Sequence, residues 1–196
     1  MAEAPSSAEG SWVDPASNRR LNYRLWVPPS PRALIVIVHG FGEHGGRYQP
    51  VAEALAARQF GVAVPDLWGH GRSGGLRGDV RRFADYLDDL QRLTMTVFLP
   101  RAGCARYAVY GHSFGGLVAI HWGLAQPAAL GRLIVQSPLL DVGFEVPRWK
   151  RIAARWLSRL WPQAQLPIEL DVSKLSHDPA VAAAYRRDPL VHNLMS

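Results

Sequence analysis

One cysteine, Cys104, stands in 196 residues, which excludes a disulfide framework and a cysteine-ligated zinc site. Lysine is nearly as scarce: only Lys150 and Lys174 occur, and the other basic residues are arginine. No apolar run approaches the roughly 20 residues that span a bilayer; the densest, residues 33–38, has strand length. The opening residues MAEAPSSAEG carry neither a basic nor an apolar stretch, so no signal peptide is expected and the expected location is cytoplasmic, with membrane association left open. Internal repeats are lacking too. Charged residues make up 19% against 48% hydrophobic, too apolar a balance for a disordered chain. A formal net charge of +6 raises nucleic-acid binding as a class. The arginines are mostly dispersed and no recognition motif accompanies them, so no nucleic-acid partner is expected.

The length suits one domain. Residues 1–19, rich in Ala, Ser, Glu and Pro, read as a loose leader. Residues 21–27 alternate loosely and end at Pro28-Pro29, the pattern of an edge strand closed by a turn. Residues 33–38 are apolar on both faces, which suits a central strand of a covered sheet. Helical spacing follows at 48–59, then a strand at 62–64 and a glycine-rich loop to Gly78. A helix from Asp79 through Val97, a strand at 107–110, a small-residue helix at 114–125 and a strand at 133–135 complete the pattern. This alternation predicts an α/β fold with a mostly parallel sheet and flanking helices over residues 20–140. Beyond Pro138 the pieces are helix-like and broken by proline, so residues 141–196 read as a helical cap.

The strongest chemical signal is GHSFGG at 111–116, where a strand ends and a helix begins with Ser113 at the join. A nucleophile there is raised on a sharp turn beside a helix N-terminus, and its flanking positions must lack side chains, which Gly111 and Gly115 satisfy. The pattern GxSxG recurs by chance; the strand and helix around it select the elbow reading. The second signal is HGFGEHGGRY at 39–48, directly after the expected central strand. Acyl transfer needs two donors aimed at the developing oxyanion. The N–H of Phe114, after the nucleophile, and the N–H of Phe41, in this loop, are the candidates. A phosphate loop fails for want of a Walker lysine or a GxGxxG. His39 and His44 have no further ligand set around them and read as loop-structuring residues, so no metal is expected.

HGFGEHGGRY, PDLWGHGRSGGLRGDVRRFADYLDDL, YGHSFGG, QSPLLD and AYRRDPL follow in that order. As a set they resemble the monoacylglycerol lipase and lysophospholipase group of α/β-hydrolases, over nearly the whole chain from about residue 20. The resemblance implies Ser113 as nucleophile and the amides of Phe41 and Phe114 as oxyanion hole. It places Glu43, Arg47 and Tyr185 near the glycerol end of a substrate; a loop salt bridge and a packing tyrosine are the equal alternative. Asp66, His70 and Ser73 belong to the family's DxxGHGxS loop and read as scaffold. No metal or organic cofactor is implied. The implied activity is hydrolysis of lipid-like carboxylic esters, such as monoacylglycerol or lysophospholipid, through a Ser113 acyl-enzyme that water releases.

One departure stands out. α/β-Hydrolases supply the carboxylate and the base in the order Ser, Asp or Glu, then His, and the resembled family takes both from loops beyond the cap. Asp141 fits the ordinary SPLLD stretch, His177 and His192 fall in cap-like sequence, and His112 ordinarily points away from the reaction face. No residue is therefore assigned as acid or base. An apolar 133–135 edge without a neighbour is a feature that natural domains avoid. The expectation is an N-terminal portion of a longer hydrolase, with the final strands of the fold absent. A carboxylesterase or thioesterase of the same fold, and a catalytically incomplete chain, stay as alternatives.

Residues 148–161, RWKRIAARWLSRLW, place Trp149, Ile152, Trp156 and Leu160 along one side and Arg148, Arg151, Arg155 and Arg159 along another. A basic amphipathic helix with tryptophans reads either as an interfacial membrane anchor or as a cap helix that roofs an acyl site. The two readings are compatible.

Overall fold

The apolar run at 33–38 becomes strand β3 (Leu34–Val38), and all five of its residues are buried. The computed structural model describes residues 6–196 except 126, 142–146, 162, 169–171 and 173–175, and leaves the side chains of 150, 151 and 153 undescribed. β3 is apolar on both faces because each face has its own core. Leu34, Val36 and Val38 pack with Tyr86, Leu90, Phe98, Val118 and Trp122 on one side, whereas Ile35 and Ile37 pack with Ala52, Ala56, Val62 and Val64 on the other.

The remaining strands of this sheet are β1 (Ser6–Val13), β2 (Arg20–Val27), β4 (Gly61–Pro65), β5 (Tyr107–His112) and β6 (Leu130–Gln136). Among the described residues their order is β1-β2-β4-β3-β5-β6. β4, β3, β5 and β6 run parallel, and β1 and β2 are added antiparallel at one side. Helices α1 (Gln49–Ala56), α2 (Phe83–Leu93), α3 (Leu99–Ala102) and α4 (Phe114–Leu124) connect them, with a π-helical turn over Thr94–Phe98 between α2 and α3. In the cap region lie α5 (Arg148–Leu160), α6 (Pro179–Arg187) and a two-residue antiparallel pair, β7 (Leu166–Pro167) with β8 (Leu194–Met195).

Two expectations change. The described part of the 1–19 stretch is not loose: β1 pairs with β2 along its whole length, and Trp12 packs against the core. β2 is therefore an inner strand rather than an edge. The polar sequence of β1 concealed it, because outward serines and Glu9 give no apolar alternation. Gly10 lies beneath the Tyr23 ring, where a Cβ would come within 2.5 Å of the phenol. The following corner is pinned by buried Asp14, which receives two hydrogen bonds from Arg92 at 3.0 and 2.9 Å. The helix expected from Asp79 starts at Phe83, with Arg82 still extended at its N-cap.

At the opposite side β6 has no further strand beside it among the described residues. Leu133 is 40% exposed and Ile134 47%, and a groove of about 400 Å³ runs between β6 and α4, lined by Ile120, Leu124, Leu130 and Leu133.

Deleting residues 1–13 removes β1 and bares the edge of β2. Urea unfolding is expected to show a loss of about 2–3 kcal/mol, mostly from the Trp12 contact and the lost ladder; an unchanged midpoint would return these residues to the status of a leader.

Candidate active site

β3 and β5 are paired so that Val38 lies opposite Gly111. That register sets the end of β3, where the 39–48 loop begins, level with the turn from β5 into α4. The turn is made by Ser113, whose φ of 53° lies in the left-handed region, a conformation that costs a non-glycine residue on the order of 1–3 kcal/mol. Bonds on both sides hold it there. The Ser113 N–H donates to the Gln136 carbonyl at 3.1 Å, and its carbonyl accepts from Gly116, Leu117 and Leu139 at 2.9, 3.2 and 3.0 Å. Ser113 is only half-buried.

The flanking glycines are demanded by contact. A Cβ at Gly115 would collide with the carbonyl oxygens of Val38 and His39, and one at Gly111 would meet the Gly115 carbonyl and Ala119 Cβ. α4 thus begins directly against the end of β3. Its first N–H groups and its dipole face the region above Ser113. Among the described residues, neither the Phe41 nor the Phe114 N–H finds an acceptor. The two phenyl rings meet edge to face at 5.6 Å.

The 39–48 loop folds back over Ser113. A Cβ placed on Gly40 would sit 3.6 Å from Ser113 Cβ and 3.3 Å from Glu43 Oε2, so the Glu43 carboxylate lies within about 7 Å of Ser113. Glu43 accepts from the Tyr48 hydroxyl at 3.2 Å and pairs with Arg47 at 3.4 Å. The Arg47 guanidinium lies 4.7 Å over the ring of Tyr185. The structure therefore brings Glu43, Arg47 and Tyr185 together, with the Glu43 carboxylate as the member near Ser113. Burial, aided by the Glu43 charge, pushes the Tyr48 phenol well above its ordinary value.

Asp66 and Ser73 hold the loop from below. Asp66 Oδ1 accepts from the Gly45 N–H at 2.7 Å and Oδ2 from Arg72 N–H at 2.8 Å, while the Ser73 hydroxyl donates to the Asp66 carbonyl at 2.6 Å. His39 accepts the Leu67 N–H at Nε2, 3.0 Å, and donates from Nδ1 to the Gly40 carbonyl, 2.8 Å. Asp141, His177 and His192 fall within residues 141–196, and His112 Nδ1 is buried without a partner among the described residues. Sequence reasoning missed the partners of His44 and Gly42. Asp188 accepts from His44 Nε2 at 2.7 Å, and the His192 N–H donates to the Gly42 carbonyl at 2.9 Å. Contacts spanning nearly 150 residues leave no local signal; the DPL motif was the only hint.

Burial holds the imidazoles of His39 and His70 neutral, pushing their pKa values down to about 4 and about 3. Unfolded, both take up protons near pH 6.5. Between these limits the unfolded chain binds more protons, so stability is full above about pH 7 and falls as pH drops, by up to about 1.4 kcal/mol per pH unit for each ring. Urea unfolding between about pH 7 and 5 is expected to show this slope, and His70→Gln to make it shallower; equal slopes in the two proteins would contradict the assignment.

The family described as serine aminopeptidase S33 matches residues 29–196. The monoacylglycerol lipase of Mycolicibacterium smegmatis is 34% identical over 176 residues, covering 89% of this chain and 62% of that protein. The human monoglyceride lipase is 32% identical over 178 residues, covering 90% of this chain and 58% of that protein. The crystal structure of Paleococcus ferrophilus monoacylglycerol lipase superposes with a TM-score of 0.75 at 29% identity, covering 99% of this chain and 66% of the other. The chain thus spans about three fifths of the length of these curated relatives. With the parallel sheet, the strained serine and the loop folded over it, these matches show that the chain belongs to the serine aminopeptidase S33 family of α/β-hydrolases, in its monoacylglycerol lipase-like group.

Proposed function

We propose that this chain carries the nucleophile and the oxyanion hole of a serine hydrolase acting on lipid-like carboxylic esters, of the monoacylglycerol or lysophospholipid class. The observation that carries the reading is Ser113 itself, held at φ 53° between the end of β5 and the start of α4. Backbone strain persists where the surroundings over-determine it, and such sites cluster where chemistry is done. Ser113 Oγ attacks the ester carbonyl, the alcohol leaves, and water later releases the acid from the acyl-enzyme. The amides of Phe41 and Phe114 receive the negative charge that develops on the carbonyl oxygen. Glu43, Arg47 and Tyr185 line the head-group end, offering a carboxylate, a guanidinium and a phenol to glycerol-like hydroxyls. No residue of this chain is assigned as the base or its carboxylate. The core spans 20–140, now extended by β1, and the cap 141–196.

Lipid contact falls to α5. Trp149 is 66% exposed and Trp156 58%, with Ile152 and Leu160 also exposed. An apolar row left facing outward supports a lipid surface over a roof on the site. The side chain of Arg151 lies outside the described residues, while Arg155 is exposed. No described helix is long and apolar enough to cross a membrane; the contact proposed is peripheral.

A second reading, a catalytically incomplete chain, is favoured by one observation: the bare apolar edge of β6 with its groove, a surface that folded domains ordinarily cover.

A fluorophosphonate probe separates the readings. A competent site labels rapidly, and Ser113→Ala abolishes the adduct. Slow labelling, equal in Ser113→Ala, would overturn the hydrolase assignment and leave the incomplete chain. For α5, the double variant R151E/R155E is expected to weaken binding to anionic vesicles roughly 30-fold or more, at about 1 kcal/mol per basic residue; unchanged binding would remove the membrane contact.

A further inference from the structure

The stretch 185–192 grips the 39–48 loop at three places that share no side chain. The His192 N–H donates to the Gly42 carbonyl at 2.9 Å, and the His192 ring meets Phe41 edge to face at 5.7 Å. Asp188 Oδ2 accepts from His44 Nε2 at 2.7 Å. Tyr185 lies under the Arg47 guanidinium at 4.7 Å. Gly42 makes the first contact possible. Its φ is 70°, and a Cβ there would collide with the His192 carbonyl oxygen.

The Asp188 contact is the most directive. His44 Nδ1 accepts the Gly46 N–H at 3.1 Å and so caps the short 3-10 turn Gly45–Tyr48. An imidazole accepts at Nδ1 only when its proton sits on Nε2. A carboxylate at Nε2 selects that tautomer, because the bond at one ring nitrogen sets the state of the other. Without Asp188 the ring divides between tautomers, and the form protonated on Nδ1 turns a donor against the Gly46 N–H. Burial works against the Asp188 carboxylate, yet bonds from His44 and from the Leu190 N–H outweigh it and hold its pKa below the ordinary value. The far end of the loop is anchored independently, through Gly45 to Asp66. Phe41 lies on the near side, between Gly42, bound by His192, and Gly40, packed over Ser113.

We propose that residues 185–192 form a clasp that sets the Phe41 amide over Ser113, with Asp188 as a positioning residue that acts through His44. The proposal rests on the reading of Phe41 as an oxyanion donor. Its structural half, the control of the His44 tautomer by Asp188, is open to test whether or not the chain is active. The clasp also makes the cap a determinant of the reaction rate, since it reaches the oxyanion donor through backbone and ring contacts without contributing a reacting atom.

The experiment uses the 196-residue chain labelled with ¹⁵N, at about pH 8, with the His44 ring signals assigned by their loss in His44→Asn. Wild type is expected to show one tautomer, protonated on Nε2, and a protected Gly46 amide. In Asp188→Ala the ring is expected to show both tautomers, and Gly46 to exchange at least tenfold faster. Asp188→Asn, whose single oxygen cannot accept from both His44 Nε2 and the Leu190 N–H, is expected to fall between wild type and Asp188→Ala in both. Fluorophosphonate labelling of Ser113 is expected to slow about tenfold in Asp188→Ala and by a smaller factor in Asp188→Asn. Gly42→Ala, which breaks the grip at His192 alone, is expected to slow labelling with the His44 tautomer unchanged. An Asp188→Ala protein with the His44 tautomer and Gly46 exchange of wild type would overturn the clasp. Wild-type labelling speed in both Asp188→Ala and Gly42→Ala would overturn it equally. If wild type itself fails to label, the incomplete-chain reading is left, and the tautomer and exchange results still decide whether the clasp exists.

Discussion

The contact between the first turn of α4 and the end of β3 is the constraint on which the site depends. The space where a side chain at Gly115 would project is already filled by the carbonyl oxygens of Val38 and His39. Because helix and strand meet there backbone to backbone, the intervening residue has to turn sharply, and Ser113 does so with a left-handed φ. Four hydrogen bonds to its own peptide groups, reaching Gln136, Gly116, Leu117 and Leu139, offset that strain and tie the turn to β6 as well as to α4. Half-buried Ser113 thus stands on a firm support, beside an amide of Phe114 that no acceptor claims among the described residues.

The opposing loop is arranged by the same logic of satisfied backbone groups. Asp66, itself buried, takes two amide protons from the 45–46 and 71–72 turns, and His39 spends one ring nitrogen on Leu67 and the other on Gly40. Burying neutral imidazoles beside one another costs stability in acid, and the backbone bonds of His39 hold the loop to its neighbours. Such preorganisation is what electrostatic stabilisation of an oxyanion requires, since donors already in place cost no reorganisation during reaction. Residues 185–192 reach the same loop from the other side, at Gly42, His44 and Arg47.

The legible parts were those encoded by neighbours in sequence. The two-sided apolar run of β3 announced a covered central strand, and GHSFGG announced a strand-to-helix turn, because in both the physical requirement falls on adjacent residues. β1 was illegible, since a strand built of serine, alanine, glutamate and glycine has no alternation, and only Trp12 hints at a buried face. The amphipathic pattern of α5 was plain, but periodicity alone is the same for a helix that roofs a cavity and one that faces lipid; exposure of Trp149 and Trp156 supports the lipid contact proposed for it. Asp188 and His44 are joined only by the fold. The same holds for Gly42, where the missing side chain leaves room for the backbone of His192.

The account's central claim is that Ser113, Phe41 and Phe114 form one acyl-transfer site. The most direct measurement is a crystal structure of the chain carrying a phosphonate adduct. The account predicts the phosphorus on Ser113 Oγ and one phosphoryl oxygen about 3 Å from the amide nitrogens of both Phe41 and Phe114. A phosphoryl oxygen that points to solvent, or an adduct on any other residue, would contradict it.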